Sequence, residues 1–236
     1  MLSTTRMAHF EQESAALKNT LLTMASYAES AVNRAVEALT TRNHELALRV
    51  NEDDEIIDHF EVEIDETAIR LLAKAPPAGE LRLITVAMKV SQNLERVGDE
   101  AAKIAKRARD LNQEAPLKLV LGVPRLAQMA LQMVKSALDA FVNQDPAAAR
   151  ALIPQDKAID ALNKQIHRQL ADQMIESPET ITRCLGWMVV AKSLERIADH
   201  GKNIAEEVVY LYEARDIRHT GKAKAAPLEG QDAQTS

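Results

Sequence analysis

Residues 94–108 read LERVGDEAAKIAKRA, and residues 194–208, one hundred positions later, read LERIADHGKNIAEEV. The same helix is written twice, and both copies carry a Glu-x-x-x-Asp pair, Glu95/Asp99 and Glu195/Asp199. Helical residues four apart lie about 40° round and about 6 Å along from one another, so each pair sets two carboxylates side by side. Like charges at that spacing oppose the helix by a few tenths of a kcal/mol. A repeated acidic pair therefore points to a role other than helix stability.

Working outward from this repeat, apolar residues keep a three-and-four spacing along most of the chain. Leu17, Leu21, Met24, Ala28, Ala31, Ala35 and Leu39 form one stripe, and Ala87, Val90, Leu94, Val97, Ala101, Ile104 and Ala108 form another, the pattern of bundle helices. The stripes and their breaks predict helices over about 8–42, 45–74, 80–112, from 124, over 146–176 and over 179–214. Ala75-Pro-Pro-Ala-Gly79 stops the second helix because two prolines and a glycine cannot continue it. Asp145-Pro146 and Ser177-Pro178 read as N-caps followed by proline at the first helical position. Short loops force neighbouring helices antiparallel, so the expected fold is all-α: two tandem, pseudo-symmetric three-helix bundles, up-down-up in each half. The expected division is a first bundle over 1–112, a linker over 113–123, a second bundle over 124–215 and a mobile polar tail over 216–236.

The repeat also filters the acidic residues. With 35 acids in 236 residues, chance alone supplies about five pairs four apart, so one pair carries little meaning. Shifted by 102 positions, however, Asp54/Asp58 superposes on Asp156/Asp160, whereas Glu61/Asp65 falls on Asn163/His167 and is assigned to a solvated face. Folding each hairpin about its loop brings Asp54 and Asp58 level with Asp99 and Glu95. The same operation brings Asp156 and Asp160 level with Asp199 and Glu195. Two clusters of four carboxylates follow, near the surface beside Ser91, Gly98 and Ala102 in one half and Ala191, Ala198 and Lys202 in the other. Such oxygen donors suit hard or borderline divalent ions. The alternative is a solvated acidic face neutralised by Arg96, Arg196, Lys103 or Lys106. His59 and His200 adjoin the clusters and are candidate ligands, although the reading preferred for each is a surface histidine.

Composition narrows the function. A net charge of −6 argues against nucleic acid as the main partner. Cys184 is the only cysteine, which excludes an internal disulfide and CxxC zinc sites and fits a buried structural thiol in a reducing cytoplasm. No apolar run approaches the roughly 20 residues of a membrane span, and the first residues lack the core of a signal peptide. Neither a phosphate-cradling glycine loop nor a nucleophile with a paired base is present, so no catalytic residue is assigned.

With these residues in view, the chain resembles the PhoU family, the accessory regulators of bacterial phosphate uptake. The resemblance rests on Leu-Glu-Arg-Val-Gly-Asp-Glu (94–100) with Lys-Ile-Ala (103–105), and on Leu-Glu-Arg-Ile-Ala-Asp-His (194–200) with Asn-Ile-Ala (203–205). Glu-Leu-Arg-Leu-Ile (80–84) and Asp-Ile-Arg-His-Thr-Gly (216–221) add to it. It implies two three-helix bundles whose E(D)xxxD motifs bind metal, here Asp54/Asp58, Glu95/Asp99, Asp156/Asp160 and Glu195/Asp199, with Fe, Mn, Mg or Zn as the candidate ions. It further implies a cytoplasmic negative regulator of the phosphate-starvation response, whose partners are the ATPase subunit of a phosphate transporter and a membrane sensor histidine kinase. A homodimer is expected, as is the absence of enzymatic activity. The rival readings are a di-iron carboxylate enzyme, which would use Glu-x-x-His pairs that this chain lacks, and a helical oligomerisation protein without ligand.

Overall fold

The computed structural model describes residues 2–119 and 121–218, with side chains from Phe10 onward. Among the described residues the regular structure is helical: α1 (Leu2–Thr40), α2 (His44–Leu72), α3 (Ala78–Asn112), α4 (Val123–Val142), α5 (Pro146–Leu152), α6 (Asp156–Glu176) and α7 (Ile181–Glu213). α1, α2 and α3 pack mutually as the first bundle, and α4, α5–α6 and α7 form the second. The two are joined along α3 and α7, the helices that carry the repeat. The first-bundle stripes are the core, with Leu17, Leu21, Met24, Ile57, Ile64, Ile84, Leu94 and Ile104 at most 1% exposed.

The helix ends explain the topology. Asn43 caps α2 by accepting from the backbone N–H groups of Glu45 and Leu46 at 3.0 and 3.2 Å. Asp145 caps α5 by accepting from the Ala148 N–H at 2.9 Å, as its sequence position predicts. Glycine is scarce, so α1, α2, α4 and α7 are followed by non-glycine residues in the left-handed region: Arg42, Ala75, Gln144 and Ala214, at φ 52 to 58°. Each carries a steric cost of about 1 kcal/mol that a glycine would not.

Two expectations are corrected. The single helix over 146–176 is instead α5 and α6 separated by a 3₁₀ turn, Ile153–Gln155. Pro154 has no N–H to donate and its ring crowds the preceding turn, so the α ladder tightens and breaks there. Nor does the Ser177 side chain cap the last helix. Its carbonyl closes a 3₁₀ turn over Pro178–Thr180 by accepting from the Thr180 N–H at 2.9 Å and Oγ1 at 2.7 Å, and α7 starts at Ile181. Of the tail expected to begin at 216, everything beyond 218 lies outside the described residues. Up to that point the chain folds back, and Arg218 donates to the buried Glu207 carboxylate at 3.1 Å.

Gly98 and Gly201 set how closely helices approach. A Cβ on Gly98 of α3 would meet Asp54 Oδ1 and Ile57 Cδ1 of α2 at 3.0 Å. One on Gly201 of α7 would meet the Val134 backbone nitrogen of α4 at 2.8 Å. The first contact is with side chains that can give way; the second is with a helix backbone.

Candidate functional site

The α2–α3 hairpin brings the four carboxylates of the first half into one electrostatic neighbourhood. Burial pushes the Asp54 carboxyl up to about 6, and Asp58 and Asp99 add to the rise. Burial likewise pushes Glu95 up to about 7, with Asp99, Glu61 and Asp58 raising it and Arg96 opposing. Glu95 Oε2 is buried and accepts no hydrogen bond, although Arg96 Nε lies 3.2 Å away. Arg96 Nη1 instead donates to Asp99 at 3.0 Å, and Lys103 reaches Asp99 at 4.0 Å. The neutralised-face alternative is thus realised in part: Arg96 pairs with Asp99 and Glu95 and Lys103 reaches Asp99, yet burial and the neighbouring acids outweigh these cations, and the Asp54 and Glu95 carboxyls stay raised.

The second half shows the same grouping with different chemistry. Burial raises the Asp199 carboxyl, followed by the charges of Asp156 and Glu195, while Lys202 lowers it and Asp160 adds a smaller rise. Lys202 Nζ donates to Asp156 Oδ2 at 2.6 Å, and Lys192 pairs with Glu195. Asp156 Oδ1 remains buried without a hydrogen-bond partner.

The structure therefore gathers all eight predicted acids into two groups of four, one at each hairpin. Among the described residues, no three Asp, Glu, His or Cys side chains converge on a point as a preformed metal cage would require. The donor set nevertheless fits a hard cation. Buried carboxylate oxygens without a hydrogen-bond partner, Glu95 Oε2 and Asp156 Oδ1, and carboxyls displaced upward by burial and then by their like-charged neighbours are what a divalent ion would relieve.

Sequence reasoning missed three participants. Glu61, assigned to a solvated face, is half-buried, and its carboxyl is raised by burial, then Asp65 and Asp58. Its spacing of three from Asp58 was the available signal, discarded because the repeat puts Asn163 there. Lys202 looked like a neighbour and is a counter-ion. Glu100 is buried at the junction of the bundles, where it accepts from Arg196 at 3.2 Å and Lys103 at 3.0 Å. Burial would raise its carboxyl, but hydrogen bonds from Ser193, Lys103 and Arg196 hold it below its usual value. No local spacing reveals a contact made across α3 and α7. The His200 ring Nδ1 sits 3.0 Å from Asn93 Oδ1, and burial lowers its pKa, so at neutral pH this neighbour of Asp199 is a neutral interface residue.

Comparison with known proteins matches the sequence to the PhoU domain twice, over residues 21–108 and 123–208. The chain is 40% identical to the phosphate-specific transport system accessory protein PhoU homolog of Pseudomonas putida, with 94% of this chain and 88% of that protein covered. It is 34% identical to the accessory protein PhoU of Escherichia coli K12, with coverage of 90% and 88%. The crystal structure of PhoU from Pseudomonas aeruginosa superposes with a TM-score of 0.83 at 40% identity, over 87% of this chain and all of that one. The phosphate transport system regulatory protein PhoU from Streptococcus pneumoniae gives 0.81 at 26% identity, over 88% and 99%.

Proposed function

This chain belongs to the PhoU family, and from that premise we propose that it is a non-catalytic accessory regulator of a phosphate transport system. The observation that carries the reading is that both halves match the domain, and that relatives named as accessory proteins of phosphate-specific transport align over nearly their whole length. In this reading it works in the cytoplasm as a homodimer, links the ATPase subunit of a phosphate transporter to a membrane sensor histidine kinase, and restrains the starvation response. The absence, among the described residues, of a helix long and apolar enough to cross a membrane is compatible with reaching the membrane through those partners.

Asp54, Asp58, Glu95 and Asp99 in the first bundle, and Asp156, Asp160, Glu195 and Asp199 in the second, would hold divalent ions such as Fe, Mn, Mg or Zn. A bound ion would add positive charge to groups of carboxylates that outnumber the cations paired with them. The chain's own part is to fix two carboxylates per helix on facing helices and to keep Glu95 and Asp156 partly dry. Supporting this are the buried oxygens without donors and the upward-shifted carboxyls.

A deletion strain grown in abundant phosphate tests the regulatory role. Phosphate-scavenging genes should stay active, and affinity capture of the intact protein from phosphate-replete cells should recover transporter or kinase components. Normal repression in the deletion strain would overturn the reading.

A further inference from the structure

The two acidic clusters are related by the repeat but differ at one decisive position. The residue after Gly201 is Lys202, and its counterpart one hundred positions earlier is Ala102. Lys202 reaches from α7 to α6 and seats its ammonium on Asp156 Oδ2 at 2.6 Å. Its side chain is only 28% exposed and that of Asp156 13%, so the pair is well shielded, and the attraction is correspondingly stronger than on an open surface. In the first cluster Ala102 brings no charge, and Asp54, the counterpart of Asp156, has no cation within ion-pairing distance among the described residues.

The helix opposite differs too. Along α2 the stripe facing this region reads Asp54, Asp58, Glu61, Asp65, whereas along α6 it reads Asp156, Asp160, Asn163, His167. Asn163 is 8% exposed, and its Oδ1 has no hydrogen-bond partner, as is true of His167 Nε2. The second cluster thus combines fewer acidic side chains, a seated ammonium and, on the same helix stripe, two polar atoms buried without a hydrogen-bond partner.

We propose that Lys202 is a built-in counter-ion that makes the two clusters unequal: in the first, Arg96 and Lys103 are exposed and pair with Glu95 and Asp99, so a divalent cation reaches Asp54 without displacing a paired cation from it, whereas in the second it reaches Asp156 only by displacing the shielded Lys202 ammonium. This rests on the cation-binding reading above. An ion arriving at the second cluster must break a charge-assisted hydrogen bond and meet the repulsion of the displaced ammonium. The second site is therefore weaker by roughly tenfold. A long flexible lysine stem lets the ammonium swing to solvent without moving the helix.

Manganese binding followed by electron paramagnetic resonance on the full chain tests the proposal. Wild type should show two classes of Mn²⁺ site. In Glu95→Gln/Asp99→Asn, which disables the first cluster, the weaker class should remain, and adding Lys202→Ala should tighten it about tenfold. The reciprocal Ala102→Lys should weaken the tight class by a similar factor. A readout without metal accompanies these: in chelator, Lys202→Ala should melt lower because Asp156 loses its partner, and Ala102→Lys should melt higher. Equal sites in wild type, or a second site whose affinity ignores Lys202, would refute the role of Lys202 while leaving metal binding intact. No Mn²⁺ binding to wild type at all would instead remove the cation reading and this proposal with it.

Discussion

Replacing Asp54 and Glu95 by Asn and Gln should stabilise the metal-free protein, and the gain should grow with pH. A carboxyl carried from 3.8 to about 6, or from 4.5 to about 7, would cost about 3 kcal/mol in its ionised form if it were wholly buried. Both groups keep contact with water, and screening reduces this to about 1 kcal/mol each, about 2 together. Because the fold raises both carboxyls, it prefers them protonated: their stability is fully present below about pH 4 and is lost as pH rises through 6 and 7. The amide variant cannot ionise, so near pH 4 it should match wild type, and at pH 7.5 it should exceed it by about 2 kcal/mol. For a chain of this size that is about 4 to 8 °C in Tm. Melting by circular dichroism in chelator, taken as variant minus wild type across pH 4.5 to 8, cancels the opposite contribution of His200, whose lowered pKa favours the fold at higher pH. Adding Mn²⁺ at pH 7.5 should reverse the ranking, since wild type alone keeps the full first cluster. A gain that does not vary with pH, or a variant less stable than wild type at pH 7.5 in chelator, would refute the electrostatic account of the cluster.

Gly98→Ala should leave the melting temperature within about 2 °C, because Asp54 and Ile57 side-chain ends can yield and alanine favours the helix by about 1 kcal/mol. Its Mn²⁺ affinity at the first cluster should nevertheless fall severalfold, a separation that isothermal titration beside a melt would show. Gly201→Ala should cost at least about 2 kcal/mol, since its Cβ meets the α4 backbone, readable as a lowered urea midpoint. Ala214→Gly should raise the urea midpoint by the equivalent of about 0.5 to 1 kcal/mol by relieving its left-handed conformation.

The helices and the grouping of acids at each hairpin were legible because each rests on a periodic signal: the apolar stripe gives the helices, and the repeat with the hairpin arithmetic gives the neighbouring acids. Pro154 was overrun because Ile159, Ile166 and Leu170 continue an apolar stripe past it, and a stripe does not register a single missing donor. The counter-ion Lys202 was visible as a residue but not as a contact, since reaching Asp156 depends on the lateral offset of α6 and α7. The Arg34–Asp53 pair, in which Nη1 donates to both carboxylate oxygens at 2.5 Å and ties α1 to the buried side of α2, was hidden for the same reason. Glu100 required the packing of α3 on α7, a relation between two halves that neither half encodes alone.

The placement of Ala102 and Lys202 on a single polypeptide has an evolutionary corollary. If two identical bundles assembled as a symmetric pair, a lysine admitted at one cluster would appear at both, and the pair could only strengthen or weaken its sites together. Covalent fusion removes that constraint: each copy of the ancestral helix can accept its own substitution while α3 and α7 keep the shared seam. On the proposed cation binding, one gene then encodes a high-sensitivity and a low-sensitivity position side by side, spreading the response of a single molecule over a wider range of ion concentration than two equal positions would cover.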